Sequence, residues 1–111
     1  MQVFQVVHFF LFFLISSNLI SLNNLTNSID FHSLEKGEKL FSLHCISCHA
    51  NGNNSILPEK NLKKETLEAL GINSKSSLIY QIMNGKNGMP AFGGRLKEIE
   101  IEQISSYIFK E

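Results

Sequence analysis

Two thiols and an imidazole within five residues constrain this chain more than any other feature. Cys45-Ile46-Ser47-Cys48-His49 contains both cysteines of the sequence, and the histidine follows the second one directly. On a helical turn, positions i, i+3 and i+4 share one face. A face carrying Cys, Cys and His is what a covalently attached haem requires. The two thiols add to the two vinyl groups along one porphyrin edge, and the imidazole beside them comes to lie under the iron. Cys-x-x-Cys-His is the signature of c-type haem attachment. Three other chemistries fit less well. A structural zinc usually takes four ligands, and here there is no second cysteine pair; His32 and His44 stand at no known zinc spacing. A thioredoxin-like redox pair would sit near a βαβ pattern. A plain disulfide leaves His49 without a role.

The surrounding sequence reads as all-α. "HSLEKGEKLFSLHCISC" is a helix with Ser33 as N-cap and Glu35 in the first turn. Leu34, Leu40, Phe41, His44 and Cys48 roughly follow helical spacing. Ala50 to Asn61 is rich in Asn, Gly and Pro and reads as a loop. Lys63 to Leu70 is a short helix stopped by Gly71. Ser74 caps the next helix, which ends at Gly85. Lys86 to Arg95 is a second loop. Glu98 to Glu102 alternates as a strand would, whereas Ile101, Ile104, Tyr107 and Ile108 fall on one helical face. The longer pattern decides for a helix over Leu96 to Lys110, and no second strand exists to pair with. Gly37 sits inside the first of these helices, where it costs about 1 kcal/mol against Ala. It marks either a close helix–helix approach or a merely tolerated glycine. With Phe41 one turn further on and Tyr107 a suitable aromatic partner, the first and last helices are expected to cross there.

The chain has 111 residues, enough for one small domain. "FFLFFLI" (Phe9 to Ile15) carries no polar side chain. It is too short to span a bilayer and the right length for the apolar core of a signal peptide. A small, polar segment follows, and every Lys and Arg lies beyond Ser33. These features predict a signal peptide over residues 1–28, removed by a cut after Ser28, with Thr26 and Ser28 as the small residues before it. The segment Met1 to His8 has no Lys or Arg and there is no Ala-x-Ala site, and the alternatives are a membrane anchor or a buried core segment. The mature domain, residues 29–111, is marginal for a hydrophobic core alone and calls for a disulfide, a metal or a cofactor. Ten basic residues balance ten acidic ones. No basic stripe with interleaved aromatics is present, which argues against nucleic acid as a partner.

An electron-carrying haem takes a second axial ligand. His44 shares a helical turn with the attachment site and cannot reach the other face. Leu78, Ile79, Ile82 and Met83 form an apolar helical stripe, which assigns Met83 to the core. Met89 lies between Gly88 and Pro90 in a loop that can bring a thioether to the ring; His32 is an outsider. His/Met ligation with both positions filled favours electron transfer and raises the reduction potential. The alternative for Met89 is a loop methionine filling a gap. An open distal position would instead suit a small haem peroxidase. Retention of the N-terminal segment would suit a membrane-anchored cytochrome c subunit.

From about Glu35 to Phe109 the chain resembles the cytochrome c6 family, the soluble class I c-type cytochromes of algal and cyanobacterial photosynthesis. The likeness is carried by "GEKLFSLHCISCHANGNN", "LKKETLEA", "YQIMNGKNGMPAFGGRL" and "IEQISSYI". Cys-x-x-Cys-His alone is common to all c-type cytochromes; "NGKNGMPAFGGRL" together with "HANGNN" is far more specific. The resemblance implies a small class I cytochrome c fold, about four helices wrapped around one haem c. It implies covalent attachment at Cys45 and Cys48 and axial iron ligation by His49 and Met89. By the same resemblance the protein is an electron carrier and not an enzyme, a monomer, and not membrane-embedded when mature. It would work in the thylakoid lumen of a plastid, taking electrons from cytochrome f of the b6f complex and passing them to photosystem I. Arg95 matches a family arginine near the haem edge implicated in contact with the photosystem; the alternative is a solvated surface charge. The tryptophan-bearing tail found in many relatives is absent here.

Overall fold

The computed structural model describes residues 2–110. It divides into two compact units, Met1–His32 and Ser33–Glu111. The boundary falls within the first helix, α1 (Gln2–His44). In the N-terminal unit the apolar side chains from Val3 to Ile15 all stand exposed. This stretch makes the helix long and apolar enough to cross a membrane.

The start expected at Ser33 is not observed: Ser33 lies inside α1. No glycine or proline occurs before Gly37 to interrupt the helix. Hydroxyls earlier in the same helix are turned onto its own backbone. Ser16 donates to the Phe13 carbonyl at 3.0 Å, Thr26 to that of Asn23 at 3.0 Å, and Ser28 to that of Leu25 at 2.9 Å. Such back-bonding competes with capping.

In the C-terminal unit, α1 stops at His44 and a short second helix, α2 (Ile46–His49), follows. The next stretch contains two 3-10 turns, Ala50–Gly52 and Pro58–Lys60, the second opened by a proline at its first position. α3 (Lys64–Ala69) ends at Gly71, whose φ of 76° lets the Ile72 N–H return to the Leu67 carbonyl at 2.8 Å. α4 (Lys75–Asn84) begins at Ser74, whose hydroxyl accepts from the Ser77 N–H. The Ser77 hydroxyl in turn accepts from the Ser74 N–H, a reciprocal cap. α5 (Glu98–Phe109) is a helix throughout, and Glu100 accepts from the Lys97 N–H at 2.8 Å at its start. No strand forms among the described residues.

The core joins three helices. Phe41 of α1, Leu78 and Ile82 of α4, and Ile101 and Ile104 of α5 pack together, and the two isoleucines of α5 are fully buried. Ser105 is also fully buried, and its hydroxyl donates to the Ile101 carbonyl at 2.9 Å, so no unpaired hydroxyl enters the core. The expected crossing of the first and last helices is observed. A Cβ on Gly37 would collide with the Gln103 carbonyl oxygen and stand 3.0 Å from the Tyr107 Cβ. The Phe41 and Tyr107 rings meet at 5.5 Å, tilted by 51°.

Candidate functional site

The Cys45 carbonyl receives two hydrogen bonds, from the N–H of Cys48 at 3.1 Å and of His49 at 2.9 Å. Cys45, the N-cap of α2, and the single turn of α2 therefore carry both thiols and the imidazole. The thiols are not joined in a disulfide. Burial, with a smaller contribution from Cys48, pushes the Cys45 thiol up to about 11. A thiol in that state is protonated at neutral pH, unlike the activated cysteine of a redox enzyme. No group of three or more His, Cys, Asp or Glu side chains able to hold a metal ion exists among the described residues. The two thiols and His49 therefore do not converge on one ion, which speaks against zinc.

His49 is oriented by the chain that follows it. Asn51 and Gly52 take left-handed φ values of 53° and 71° and fold the backbone back. His49 Nδ1 then donates to the Asn53 carbonyl at 3.0 Å. A carbonyl can only accept, so Nδ1 carries the proton and Nε2 keeps its lone pair for a metal. Asn54 stiffens the same loop, its Oδ1 accepting from the N–H groups of Ile56 and Leu57 and its Nδ2 donating to the Lys60 carbonyl.

Met89 comes from the loop after α4. Asn87 and Gly88 have φ of 49° and 93°, and Lys86 and Met89 exchange two backbone hydrogen bonds of 3.1 Å across them. This is an Asn-Gly turn of the primed kind. Gly85 makes room for it, because a Cβ there would collide with the Met89 carbonyl. Beyond the turn, Phe92 and Gly93 donate to the Ile82 and Met83 carbonyls at 3.0 and 3.1 Å, tying the loop to the last turn of α4. Gln81, one turn back on α4, donates its amide N–H to the Met89 sulfur at 3.8 Å.

These pieces line one cavity of about 450 Å³. Cys45, Cys48, His49 and Met89 all border it, and Phe41, Leu78, Ile82 and Ile104 form its apolar floor. Met83 packs against the core and is not part of the lining, as its place on the apolar stripe implied. Arg95 borders the cavity and is exposed, with its guanidinium 5.8 Å from the centre of the Phe92 ring. His32 belongs to the N-terminal unit. A flat, largely apolar group with two reactive edge positions and an axial metal fits this donor set. Sequence reasoning missed the Asn53 carbonyl and the Gln81 amide. The Asn87-Gly88 dipeptide was a visible turn cue of a kind usually met in hairpins.

Residues 32–108 match the family model described as "Cytochrome C oxidase, cbb3-type, subunit III". The chain is 53% identical over 78 residues to cytochrome c6 of Bumilleriopsis filiformis, covering 70% of this chain and 91% of that protein. It is 43% identical over 102 residues to cytochrome c6 of Gracilaria tenuistipitata var. liui, covering 92% of each. The solved structure of cytochrome c6 from the diatom Phaeodactylum tricornutum superposes with a TM-score of 0.67 at 44% identity, over 69% of this chain and 91% of that one.

Proposed function

The chain belongs to the cytochrome c6 family, whose members are haem electron carriers, and from that premise we propose that it shuttles single electrons from cytochrome f of the b6f complex to photosystem I in the thylakoid lumen of a plastid. The observation that carries this reading is the single cavity bordered by Cys45, Cys48, His49 and Met89. A haem held there supplies a one-electron ferric/ferrous couple. Cys45 and Cys48 would hold it as thioethers, one haem per chain. His49 offers Nε2 while the Asn53 carbonyl fixes the ring. Met89 offers a soft thioether, which favours the ferrous state. With His49 and Met89 both serving as iron ligands, no open site would be left for peroxide, and the chain would act as a carrier and not as a peroxidase. The apolar floor keeps water from the reacting group, and Arg95 on the exposed border is suited to partner contact.

Residues 1–28 act as a signal peptide in this reading, and the mature protein is a soluble monomer. The exposed apolar side chains of the N-terminal unit support a segment made for a translocation channel or a lipid environment. The alignment with the Gracilaria relative, 102 residues long, extends beyond the mature domain into this segment.

The test is to flash isolated photosystem I particles in the presence of the reduced holoprotein. Re-reduction of the photo-oxidised centre should accelerate in proportion to protein concentration. No acceleration would contradict the assignment. Mass spectrometry of the native protein should find an N-terminus close to Ile29. An intact Met1–Ile20 in detergent-extracted protein would favour a membrane-anchored subunit instead.

A further inference from the structure

We propose that Asn87-Gly88 is a site of slow self-modification, a conversion of asparagine to isoaspartate that unseats Met89. The chemistry belongs to the chain alone; its consequence rests on the ligand reading above. Asparagine followed by glycine is the pair most open to this reaction, because glycine leaves the attacking nitrogen unshielded and its backbone free to turn. The sequence has three such pairs, Asn51-Gly52, Asn84-Gly85 and Asn87-Gly88. The structure separates them. Asn84 is the last residue of α4; its side-chain amide donates to the Tyr80 carbonyl at 2.9 Å, and the Gly85 N–H donates to that of Gln81 at 2.8 Å. Electrophile and nucleophile are both held there. Beside Asn51, the Gly52 carbonyl accepts from the Leu62 N–H at 2.7 Å, and the His49 bond to the Asn53 carbonyl closes the loop. Asn87 and Gly88 are both exposed. Among the described residues, neither the Asn87 side chain nor the Gly88 peptide groups have a hydrogen-bond partner. The space where a Gly88 Cβ would stand is open. What resists rotation of this peptide is the pair of 3.1 Å bonds between Lys86 and Met89.

When the turn opens, the Gly88 nitrogen attacks Cγ of Asn87. The N–Cγ bond forms, the Cγ–Nδ2 bond breaks, and ammonia leaves with the proton from the Gly88 nitrogen. Water then opens the cyclic imide. Cleavage of the N–Cγ bond leaves aspartate; cleavage at the backbone carbonyl leaves isoaspartate, with the chain now running through the side chain. No electron changes hands. Both products place a carboxylate on the border of the cavity, where Asn87 stands. Isoaspartate also adds a carbon to the main chain inside the tight turn, whose closure fixes the position of Met89. A four-residue turn has no slack to absorb the extra length, so the thioether loses its place.

The experiment ages the oxidised holoprotein in warm, mildly alkaline buffer and samples it over time. Trypsin places the three asparagines on separate fragments, Leu40–Lys60, Ser76–Lys86 and Asn87–Arg95. The amide-to-acid mass change should appear on Asn87–Arg95 at least about threefold faster than on Leu40–Lys60, and not on Ser76–Lys86, because reaction of a folded segment follows its local opening. Isoaspartate methyltransferase with labelled S-adenosylmethionine should label the aged protein and not the fresh one. The near-infrared sulfur-to-iron band should decline in step with that label. Asn87→Gly suits the same turn and has no side-chain carbonyl to attack. In this variant the label should be lost and the band should no longer decline with time. Earlier conversion at Asn51 or Asn84, no conversion at Asn87, or an intact band in fully labelled protein would overturn the proposal. Fresh holoprotein without the band would instead overturn the ligand reading, while the fragment masses still decide the modification.

Discussion

Met89 and Met83 lie six residues apart, and the site depends on which of them faces the cavity. Met89 does, placed by the Asn87-Gly88 turn and met by the Gln81 amide; Met83 belongs to the core. Met83→Leu should therefore keep the weak near-infrared sulfur-to-iron band of the oxidised holoprotein. Met89→Leu should abolish it, lower the reduction potential and open the iron to cyanide, because the soft thioether that favours the ferrous state is gone. Loss of the band in Met83→Leu with survival in Met89→Leu would reverse the assignment. At this scale the sequence was informative wherever chemistry sits on neighbouring residues. Cys45, Cys48 and His49 are bound to one another by a single helical turn, so their spacing states their geometry. The partners that tune them come from loop closure. Nothing local announces that the Asn53 carbonyl reaches Nδ1 of His49, or that Gln81 reaches sulfur across eight residues.

Among the elements, α3 and α4 were legible because their ends carry their own punctuation, Gly71 in the left-handed region and Ser74 with its reciprocal serine. α5 was legible from the face made by Ile101 and Ile104, both fully buried. The beginning of the first helix was not. Ser33 is a good cap by residue type, but a cap acts only where the preceding turn is broken, and nothing ahead of Gly37 breaks it. Gly37 gives the sharpest test of element packing. In an exposed helix, Gly→Ala would stabilise by about 1 kcal/mol. Here the added methyl meets the Gln103 backbone. Gly37→Ala should instead destabilise by about 1–3 kcal/mol, the usual range for overpacking. For a domain of this size that is a fall of several degrees in Tm. A rise in Tm would show that α1 and α5 do not approach at this point.

For the molecule as a whole, the core is small. Its fully and nearly buried apolar residues number six among the described positions, and five of them, Phe41, Leu67, Leu78, Ile82 and Ile104, also border the cavity. The apolar wall of the site and the core are thus largely the same surface, and a haem filling the cavity would complete the core. Replacing Cys45 and Cys48 together with Ala should therefore remove covalent haem and most of the helical circular dichroism, since binding energy serves as folding energy when no preformed core exists. Retention of haem through acid–acetone extraction in that variant would contradict the attachment. The composition made the need for a staple visible; the cavity formed by these core residues became visible only when α1, α4 and α5 were brought together.

Covalent attachment at the two cysteines is the claim on which both the carrier and its folding depend. Its most direct measurement is the mass of the tryptic fragment Leu40–Lys60 from the native holoprotein after acid–acetone extraction. The fragment should carry the mass of one haem, with both cysteines resistant to alkylation. A fragment at its unmodified mass, with two free thiols or a disulfide between Cys45 and Cys48, would contradict the account.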